Sequence, residues 1–273
     1  MNLVALPAFS DNYLWMLHDG QQALVVDPGD ASPVIAALDA LGLTLAAILV
    51  THHHPDHVGG VDALRPRLQG LVYGPARETM PQPCVPLEDG DTVQVMGLQF
   101  EVIDVPGHTA GHIAYFLGEP DAAKSTGLSA DSAASDADVT PILFCGDTLF
   151  SAGCGRLFEG TPAQMHQSLL RLAALPGNTR VCCAHEYTES NLRFATAVEP
   201  GNSDLAAHVL TCRALRASGQ ATLPTTIARE RAINPFMRCD NAAVISAALL
   251  HGAADQSGPA VLGALREWKN NFR

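Results

Sequence analysis

Residues 51–57, with the sequence Thr-His-His-His-Pro-Asp-His, place several potential metal donors within one short segment. They directly follow residues 46–50, an apolar run that has the composition of a buried strand. In extended chain, side chains two positions apart share a face. His52 and His54 are therefore expected to point the same way, and His53 is expected to point away from them and not to be a ligand.

The second half of this segment predicts a change of direction. Pro55 ends the extended chain, so Asp56 and His57 are expected where a helix begins near Val58. Their side chains would then approach the same space as the preceding histidines from another side. The segment therefore predicts a loop that supplies donors to two adjacent metal ions.

Three further segments follow the same pattern, a predicted strand followed at once by a polar donor in a tight turn. The donors are His108, Asp147 and His185. Strand ends deliver side chains to a shared edge of a sheet. Taken singly, each of these residues is more often a turn or surface residue, but together with residues 51–57 they predict a metal centre.

The number and type of these donors indicate a reaction class. A structural zinc site is closed by four ligands and favours cysteine, whereas seven nitrogen and oxygen donors suit a pair of ions with open positions. Two divalent ions outweigh the negative charge of Asp56, Asp147 and a bridging hydroxide, which leaves the cluster positive towards substrate. Ions about 3.5 to 4 Å apart lower the pKa of bound water to near 7 and polarise the bond under attack. Hydrolysis is therefore the predicted chemistry.

Composition restricts the partners of the chain. It has 273 residues, of which 47% are hydrophobic, enough for a substantial core. The formal net charge of -12 argues against nonspecific binding to nucleic acid or an anionic membrane. We see no secretory signal and no apolar run of about eighteen residues. The seven cysteines include no Cys-x-x-Cys pair, so we expect reduced thiols and a cytoplasmic protein.

Hydrophobic patterning predicts sheets with helices outside them. The predicted strands lie near residues 13–17, 23–26, 46–50, 99–104, 112–117, 142–145 and 181–183, and the predicted helices lie near 33–41, from 58 onward, and near 162–174, 203–217, 241–250 and 259–269. Residues 118–140 are rich in Ala, Ser, Asp and Gly and are expected to form a flexible insertion. After residue 188 strand signals stop, which predicts a small helical carboxyl-terminal domain.

The donor pattern resembles the metallo-β-lactamase superfamily, with its His-x-His-x-Asp-His loop followed by a His, an Asp and a His. The resemblance implies that one metal is held by His52, His54 and His108, that a second is held by Asp56, His57 and His185, and that Asp147 bridges them. Asp56 is also expected to be catalytic by orienting the hydroxide. Imidazole and carboxylate ligands accept zinc, iron or manganese alike, and we expect zinc, with iron or manganese as alternatives.

Sequence outside the ligands resembles the glyoxalase II (hydroxyacylglutathione hydrolase) family more closely. The matching segments are residues 10–15, 146–150, 153–160, 184–188 and 234–238. The resemblance implies hydrolysis of the thioester S-D-lactoylglutathione to D-lactate and glutathione, the second step of methylglyoxal detoxification. A thiolate leaves with a conjugate-acid pKa of about 8.5, so this cleavage requires little general-acid help.

The same resemblance implies a glutathione site. Its members are Arg156, Phe158, Tyr187 and Arg238. Arginine suits carboxylates because its planar fork bonds them bidentately. Two positions depart from the family: Phe158 stands where some members have Tyr, and Asp240 stands near the place where some relatives carry a basic residue. Both predict weaker substrate affinity, and Lys269 is a candidate substitute cation.

The fold implied by the resemblance is an α/β protein, a four-layer αβ/βα sandwich of two back-to-back sheets with helices outside. Residues 1–187 would form the catalytic domain and residues 188–273 a helical substrate-binding domain, in a monomer whose partner is a small glutathione thioester. We keep three alternatives: another thioesterase or a lactonase on the same scaffold, a tRNA-processing nuclease, which the net charge opposes, and a non-catalytic metal-binding protein.

Overall fold

Two six-stranded sheets form the centre of the computed structural model, which describes residues 1–119 and 140–272. Across the first sheet the order is β1 (Asn2–Ala8), β2 (Asn12–His18), β3 (Gln22–Val26), β4 (Thr44–Leu49), β5 (Leu68–Pro75) and β6 (Val85–Leu87). The pairs β1–β2 and β2–β3 are antiparallel, and the pairs from β3 to β6 are parallel. The insertion predicted at residues 118–140 falls on residues 120–139, which lie outside the described residues.

The second sheet is mainly antiparallel. Its order is β14 (Thr225–Thr226), β13 (Arg180–Cys182), β10 (Ile142–Phe144), β9 (Ile113–Leu117), β8 (Leu98–Asp104) and β7 (Thr92–Val95). Strands β10 and β13 form its parallel pair. A short hairpin of β11 (Leu149–Phe150) and β12 (Gly153–Cys154) lies between this sheet and the carboxyl-terminal helices.

Helices connect these strands and cover the sheets. They are α1 (Ala31–Leu41), α2 (Pro55–Val58), α3 (Val61–Leu64), α4 (Pro162–Ala173), α5 (Thr188–Val198), α6 (Ser203–Ala217), α7 (Ile227–Ile233), α8 (Ala242–Leu250) and α9 (Gly258–Asn271), with 3-10 turns at Arg65–Arg67 and Pro235–Met237. The Asp30 side chain caps α1 by accepting from the Ser32 amide at 2.8 Å. Thr161 and Gln164 form a capping box at the start of α4.

Strand β2 shows why the molecule has layers. Leu14 and Met16 are buried with residues of α1 and α3 on one face of the first sheet. Trp15 and Leu17 face the other way and are buried in the core shared with the second sheet. Because alternate side chains of a strand point to opposite faces, one apolar strand serves both layers. The predicted sandwich of two sheets with helices outside is confirmed.

Two sequence predictions need correction. The helix expected from Val58 begins at Pro55, because proline at the first helical position has the required backbone angle and needs no amide hydrogen bond. The region after residue 188 is not purely helical, since β14 pairs with β13 at the edge of the second sheet. Side chains of the carboxyl-terminal helices, such as Phe194 and Leu265, join the same core as the sheets.

The hairpin of β11 and β12 is held by a buried carboxylate from α7. Glu230 is fully buried, and its Oε2 accepts from the Ala152 amide at 2.7 Å and from Asn234 Nδ2 at 3.0 Å. Its Oε1 accepts from Thr225 Oγ1 at 2.8 Å. Burial raises the pKa of Glu230 to about 7, against the opposing effect of these donors.

We expect Glu230→Gln to change how stability depends on pH. The raised pKa means that the folded protein binds a proton between about pH 4.5 and 7 that the unfolded chain does not, so the free energy of unfolding falls as pH rises through that window. Glutamine keeps an acceptor for Ala152 and a donor for Thr225 without that titration. As pH rises from 5 to 8, the free energy of unfolding of the variant, measured by urea denaturation, should increase by about 1 to 3 kcal/mol relative to that of the parent.

The exposed Glu189 on α5 offers a control, because Glu189→Gln removes a carboxylate that is in contact with solvent. Its stability difference from the parent should not change over the same pH range. If the stability difference between Glu230→Gln and the parent were also independent of pH, the raised pKa of Glu230 would be contradicted.

Candidate dinuclear metal centre

The donors predicted from the sequence follow strands of both sheets. Residues 51–57 follow β4 in the first sheet, and His108 follows β8 in the second. Asp147 and His185 follow the parallel strands β10 and β13, so they leave the second sheet side by side. The structure brings all seven side chains together where these strand ends meet.

The donor atoms form two groups that share one carboxylate. In the first group His54 Nδ1 lies 3.1 Å from His52 Nε2 and 3.0 Å from His108 Nε2. Asp147 Oδ2 completes this group at 3.4 Å from His108 Nε2. Asp147 therefore presents one of its two oxygens to the three histidines.

The other oxygen of Asp147 faces the second group. Its Oδ1 lies 3.4 Å from His57 Nε2 and 3.3 Å from His185 Nε2. Asp56 Oδ2 lies 3.5 Å from His57 Nε2 and 3.4 Å from His185 Nε2. Each group thus contains four donor atoms, with Asp147 common to both.

These residues fit a pair of divalent cations. Ligand atoms about 2.0 to 2.1 Å from a tetrahedral ion lie about 3.3 to 3.4 Å from one another, close to the separations in both groups. His57 Nε2 and Asp147 Oδ1 are buried and have no hydrogen-bond partner among the residues that the structure describes. Buried polar atoms without a partner are rare in native proteins, and here a cation would satisfy them.

Carboxylates and an amide orient the second group from behind. His185 Nδ1 lies 2.8 Å from Asp11 Oδ1, which directs Nε2 towards the shared carboxylate. Asn12 Nδ2 donates to Asp56 Oδ2 at 3.0 Å. These two contacts tie the turn between β1 and β2 to the metal-binding residues.

Asp27 orients the remaining histidine of that group. It follows β3 with a φ of 52°, a left-handed conformation that costs energy for a residue other than glycine. In this position Asp27 Oδ2 lies 3.1 Å from His57 Nδ1 and accepts from Thr51 Oγ1 at 2.7 Å. Sequence reasoning missed Asp27, although it too is a polar residue directly after a strand and before a glycine turn.

The His112 ring binds the backbone amide of Asp147. The Asp147 amide donates to His112 Nε2 at 3.1 Å, and His112 Nδ1 donates to the Ile113 carbonyl at 3.0 Å. The His112 ring stacks on His52 with centroids 4.5 Å apart. Gly146, with a φ of 46°, permits this approach, because a Cβ there would lie 2.7 Å from the His112 ring.

Burial and charge act on the metal-binding side chains in opposite directions. Burial lowers the pKa of His52, which favours the neutral imidazole that binds metal. Burial also opposes a proton on His185, but its hydrogen bonds to Asp147 and Asp56 outweigh that effect and raise its pKa to about 10. Without a cation, a proton on His185 therefore offsets part of the negative charge of the two carboxylates.

A cavity of about 490 Å³ opens directly from the metal-binding residues. His108 and Asp147 lie at one part of its wall, and the predicted substrate residues Arg156, Phe158 and Tyr187 are also in its lining. The remaining side chains in the lining are Phe150, Cys154, Ser190, Asn191, Arg266, Lys269, Asn270 and Phe272. Three cations therefore face this cavity in a chain whose net charge is strongly negative.

The structure does not bring Arg238 to this cavity. Its Nε and Nη2 pair with the two carboxylate oxygens of the buried Glu199 at 2.8 and 3.0 Å. Asp240 also lies outside this lining, since it borders a different cavity beside His166. The predicted substrate residue Arg238 therefore lies outside this cavity, with its guanidinium committed to Glu199.

Arg266 and Lys269 of α9 line the cavity instead. They are three residues apart, so they share a face of the helix. Arg266 Nη1 donates to the Cys154 carbonyl at 2.8 Å, and Lys269 Nζ donates to the Ser190 carbonyl at 3.1 Å. Desolvation, reinforced by the neighbouring arginines, lowers the pKa of Lys269 to about 8. The sequence indicated Lys269 only as a substitute and did not indicate Arg266.

Comparison with known proteins agrees with this geometry. Residues 9–123 match the family model of the metallo-beta-lactamase superfamily, and residues 186–272 match that of the hydroxyacylglutathione hydrolase C-terminus. A hydroxyacylglutathione hydrolase of Albidiferax ferrireducens is 56% identical over the full length of both chains. Those of Cupriavidus taiwanensis and Pseudomonas aeruginosa are 53% and 51% identical over 98% of each chain. The chain belongs to the hydroxyacylglutathione hydrolase family.

Solved structures extend the comparison to the fold. ETHE1 from Myxococcus xanthus superposes with a TM-score of 0.61 at 28% identity, covering 87% of this chain and 84% of that one. TTHA1623 in a di-iron-bound form has a TM-score of 0.50 at 31% identity, covering 68% and 92%. The metallo-β-lactamase fold predicted for this family member is confirmed. No helix among the described residues is long and apolar enough to cross a membrane.

We expect metal content to distinguish loss of the donor that both groups share from loss of a donor that belongs to one group. Asp147→Ala removes a donor from both groups, and His54→Ala removes one only from the first. After dialysis against a weak chelator, elemental analysis should find about one metal ion per chain in His54→Ala and less than that in Asp147→Ala, against about two in the parent. Retention of both ions by Asp147→Ala would contradict the bridging arrangement.

Proposed function

We propose that this protein hydrolyses S-D-lactoylglutathione to D-lactate and glutathione, the second step of methylglyoxal detoxification. The observation that carries the proposal is the cavity that extends from His108 and Asp147 to the cations Arg156, Arg266 and Lys269. A thioester carbonyl at the metal-binding end would leave the carboxylates of the tripeptide within reach of these cations. The relatives named hydroxyacylglutathione hydrolase, at 49–56% identity, support the same substrate.

The proposed metal assignment follows the two donor groups. One ion would be held by His52, His54, His108 and Asp147, and the other by Asp56, His57, His185 and Asp147. We propose zinc, because the spacing of the nitrogen and oxygen donors suits tetrahedral ligation. The di-iron-bound form of TTHA1623 makes iron the main alternative, which elemental analysis of the protein as isolated would distinguish.

When bound, two such ions would supply Lewis acidity at the thioester carbonyl and would lower the pKa of a bound water molecule. Asp56 is the protein group best placed to act on that water. Its Oδ2 accepts from Asn12, and its side chain is 40% exposed towards the site. We propose that the Asp56 carboxylate orients the attacking water.

The cations would bind the glutathione part of the substrate. Arg156, Arg266 and Lys269 offer charged donors for its two carboxylates. Burial raises the pKa of Tyr187, so its hydroxyl stays protonated and can donate a hydrogen bond. Phe158 packs edge-on against His54 and His108, with centroids 5.7 and 5.3 Å away, and would shield the reacting bond from solvent.

The thiol product needs little help to leave. A thiolate has a conjugate-acid pKa of about 8.5, so it departs near neutral pH without a dedicated general acid. This agrees with the composition of the cavity, whose lysine and arginines would stabilise an anionic product. An amide substrate, with a far more basic leaving group, would require a proton donor at this position.

We also propose the remaining features predicted from the sequence. Helix α9 supplies Arg266 and Lys269, which supports a substrate-binding role for residues 188–273 beside a catalytic unit of residues 1–187. All seven cysteines are free thiols and six are buried, as suits a reducing compartment such as the cytoplasm. Light scattering would test the proposed monomer.

Parallel assays test the proposed substrate. The protein should hydrolyse S-D-lactoylglutathione, lose activity after chelation and regain it with added metal. A homoserine lactone and a simple acyl thioester without glutathione should react far more slowly. Equal rates on the simple thioester or the lactone would favour another hydrolase of this fold, and bound metal without turnover on any ester would favour a binding protein.

We expect Lys269→Met to weaken substrate binding without changing the chemical step. Losing one charged hydrogen bond to a carboxylate costs about 1.5 to 3 kcal/mol, so KM for S-D-lactoylglutathione should rise roughly tenfold or more, with kcat within about threefold of the parent. Arg238→Met is the matched control. It should lower the melting temperature by leaving Glu199 buried and unpaired, yet leave KM unchanged in the folded enzyme. A raised KM in Arg238→Met with an unchanged KM in Lys269→Met would instead indicate that Arg238 binds the substrate.

The pKa of Lys269 predicts a pH dependence. At a pKa of about 8 the lysine is charged at pH 7 and largely neutral at pH 9, so its attraction for substrate is lost as pH rises through 8. Lys269→Arg stays charged over this range. The ratio of kcat/KM between the parent and Lys269→Arg should therefore fall several-fold from pH 7 to pH 9. A constant ratio would show that Lys269 does not titrate in this range.

A further inference from the structure

Glu78 is a buried carboxylate that the proposed mechanism does not use. It lies just after β5, outside the metal groups and outside the cavity, and its side chain is only 3% exposed. A carboxylate in such a position is costly unless its oxygens are well satisfied. Its partners therefore indicate what this residue does.

Each oxygen of Glu78 binds a different metal-binding loop. Oε2 accepts from the His53 amide at 2.6 Å and lies 2.9 Å from His53 Nδ1. Oε1 accepts from the Gly111 amide at 3.1 Å and from Thr109 Oγ1. His53 separates His52 from His54 in the chain, and Thr109 follows His108. One side chain thus joins the loop that carries two donors of the first group to the loop that carries the third.

The local sequence is fitted to this contact. A Cβ on Gly111 would lie 2.6 Å from Glu78 Cγ, so the carboxylate can approach only a glycine there. His53 contributes no atom to either group of metal-binding donors, and its ring and its amide both face Glu78. The alternation of side chains along extended chain predicts that His53 is not a metal ligand. The same alternation leaves His53 available to bind Glu78.

The second group depends on other residues. His57 is held by Asp27, His185 by Asp11 and Asp56 by Asn12, all of which come from the first sheet or the turn beside it. Loss of Glu78 leaves those contacts in place. Its effect is therefore expected to fall on the distance between His54 and His108 and not on the Asp56, His57 and His185 group.

We propose that Glu78 is a positioning residue that sets the separation of His54 from His108 and thereby the affinity of the first metal position. This inference rests on the proposed metal assignment. Partners that orient metal-binding histidines contribute about 10- to 100-fold to metal affinity. Glu78 differs from such a partner in acting through the backbone and side chains next to the ligands, so that one carboxylate fixes two loops at once.

Glu78→Gln tests the proposal with little change in shape. An amide nitrogen cannot accept from a backbone N–H, so one of the two loops loses its acceptor. In competition titrations with a chromophoric chelator and zinc, one of the two ions should bind 10- to 100-fold more weakly while the other stays within about threefold of the parent. The weakened step should match the one lost in His54→Ala and not the one lost in His185→Ala.

Glu159→Gln is the matched control. Glu159 is a carboxylate on the same side of the site, 40% exposed, that accepts from the Ala110 amide at 2.8 Å and lies 3.4 Å from His53 Nε2. It contacts the same two loops, but its side chain is exposed and only the contact with Ala110 is a hydrogen bond, so both affinities should stay within about threefold of the parent. The melting temperature of each metal-free variant should be compared, because a merely structural role would lower it without selecting one ion.

If the parent binds two ions, either of two outcomes in Glu78→Gln would overturn the inference. Both ions could bind equally more weakly than in the parent, or neither could bind more weakly. A parent that binds fewer than two ions would instead contradict the proposed metal assignment. If Glu78→Gln does not fold, Thr109→Val removes one donor to Glu78 and keeps the shape. It should weaken the same ion by a smaller factor, and an unchanged titration would again overturn the proposal.

Discussion

The structure depends on one constraint: the nitrogen and oxygen donors of seven residues lie at 3.0 to 3.5 Å from their neighbours where strands of the two sheets end. Lone pairs held so closely repel one another unless cations occupy the space between them. This repulsion acts on both sides of Asp147, since each of its oxygens faces a different group of histidines. The surrounding residues therefore have to hold the donors in place against their mutual repulsion, and Asp11, Asp27 and Glu78 each do so by binding the outer side of the cluster.

The carboxyl-terminal helices are coupled to this cluster through the hairpin that follows Asp147. Glu230 accepts from the Ala152 amide, Asn234 Nδ2 donates to the Gly153 carbonyl at 2.9 Å, and Arg266 donates to the Cys154 carbonyl. The hairpin also carries Phe150, which lines the cavity. The segment that lines the cavity with cations therefore also fixes the chain next to Asp147. For this reason the helical segment and the sheets share a core, although the family models match them separately.

Much of this arrangement could be predicted locally. The strand at 99–104 and the helix at 203–217 were predictable within a residue, because each follows from hydrophobic pattern and chain-breaking residues close in sequence. Strand β1 was not, because Pro7 argues against a strand unless it lies at a sheet edge, as β1 does. Helix α5 begins with polar residues and buries Leu192 and Phe194 only through contacts with distant segments, so its apolar face was hard to identify.

The exchange of Arg238 for Arg266 shows where local reasoning fails. Both arginines lie in carboxyl-terminal segments, and either could serve a carboxylate. Which one remains available for substrate depends on Glu199, which precedes Arg238 by 39 residues and removes its charge from the cavity. Arg266 donates through Nη1 to a carbonyl and through Nε to Asn270, and it pairs with no carboxylate among the described residues, so its positive charge still acts on the cavity. In an acidic protein a binding site for an anion is therefore made by leaving a few cations without acidic partners, and that property is a feature of the folded chain.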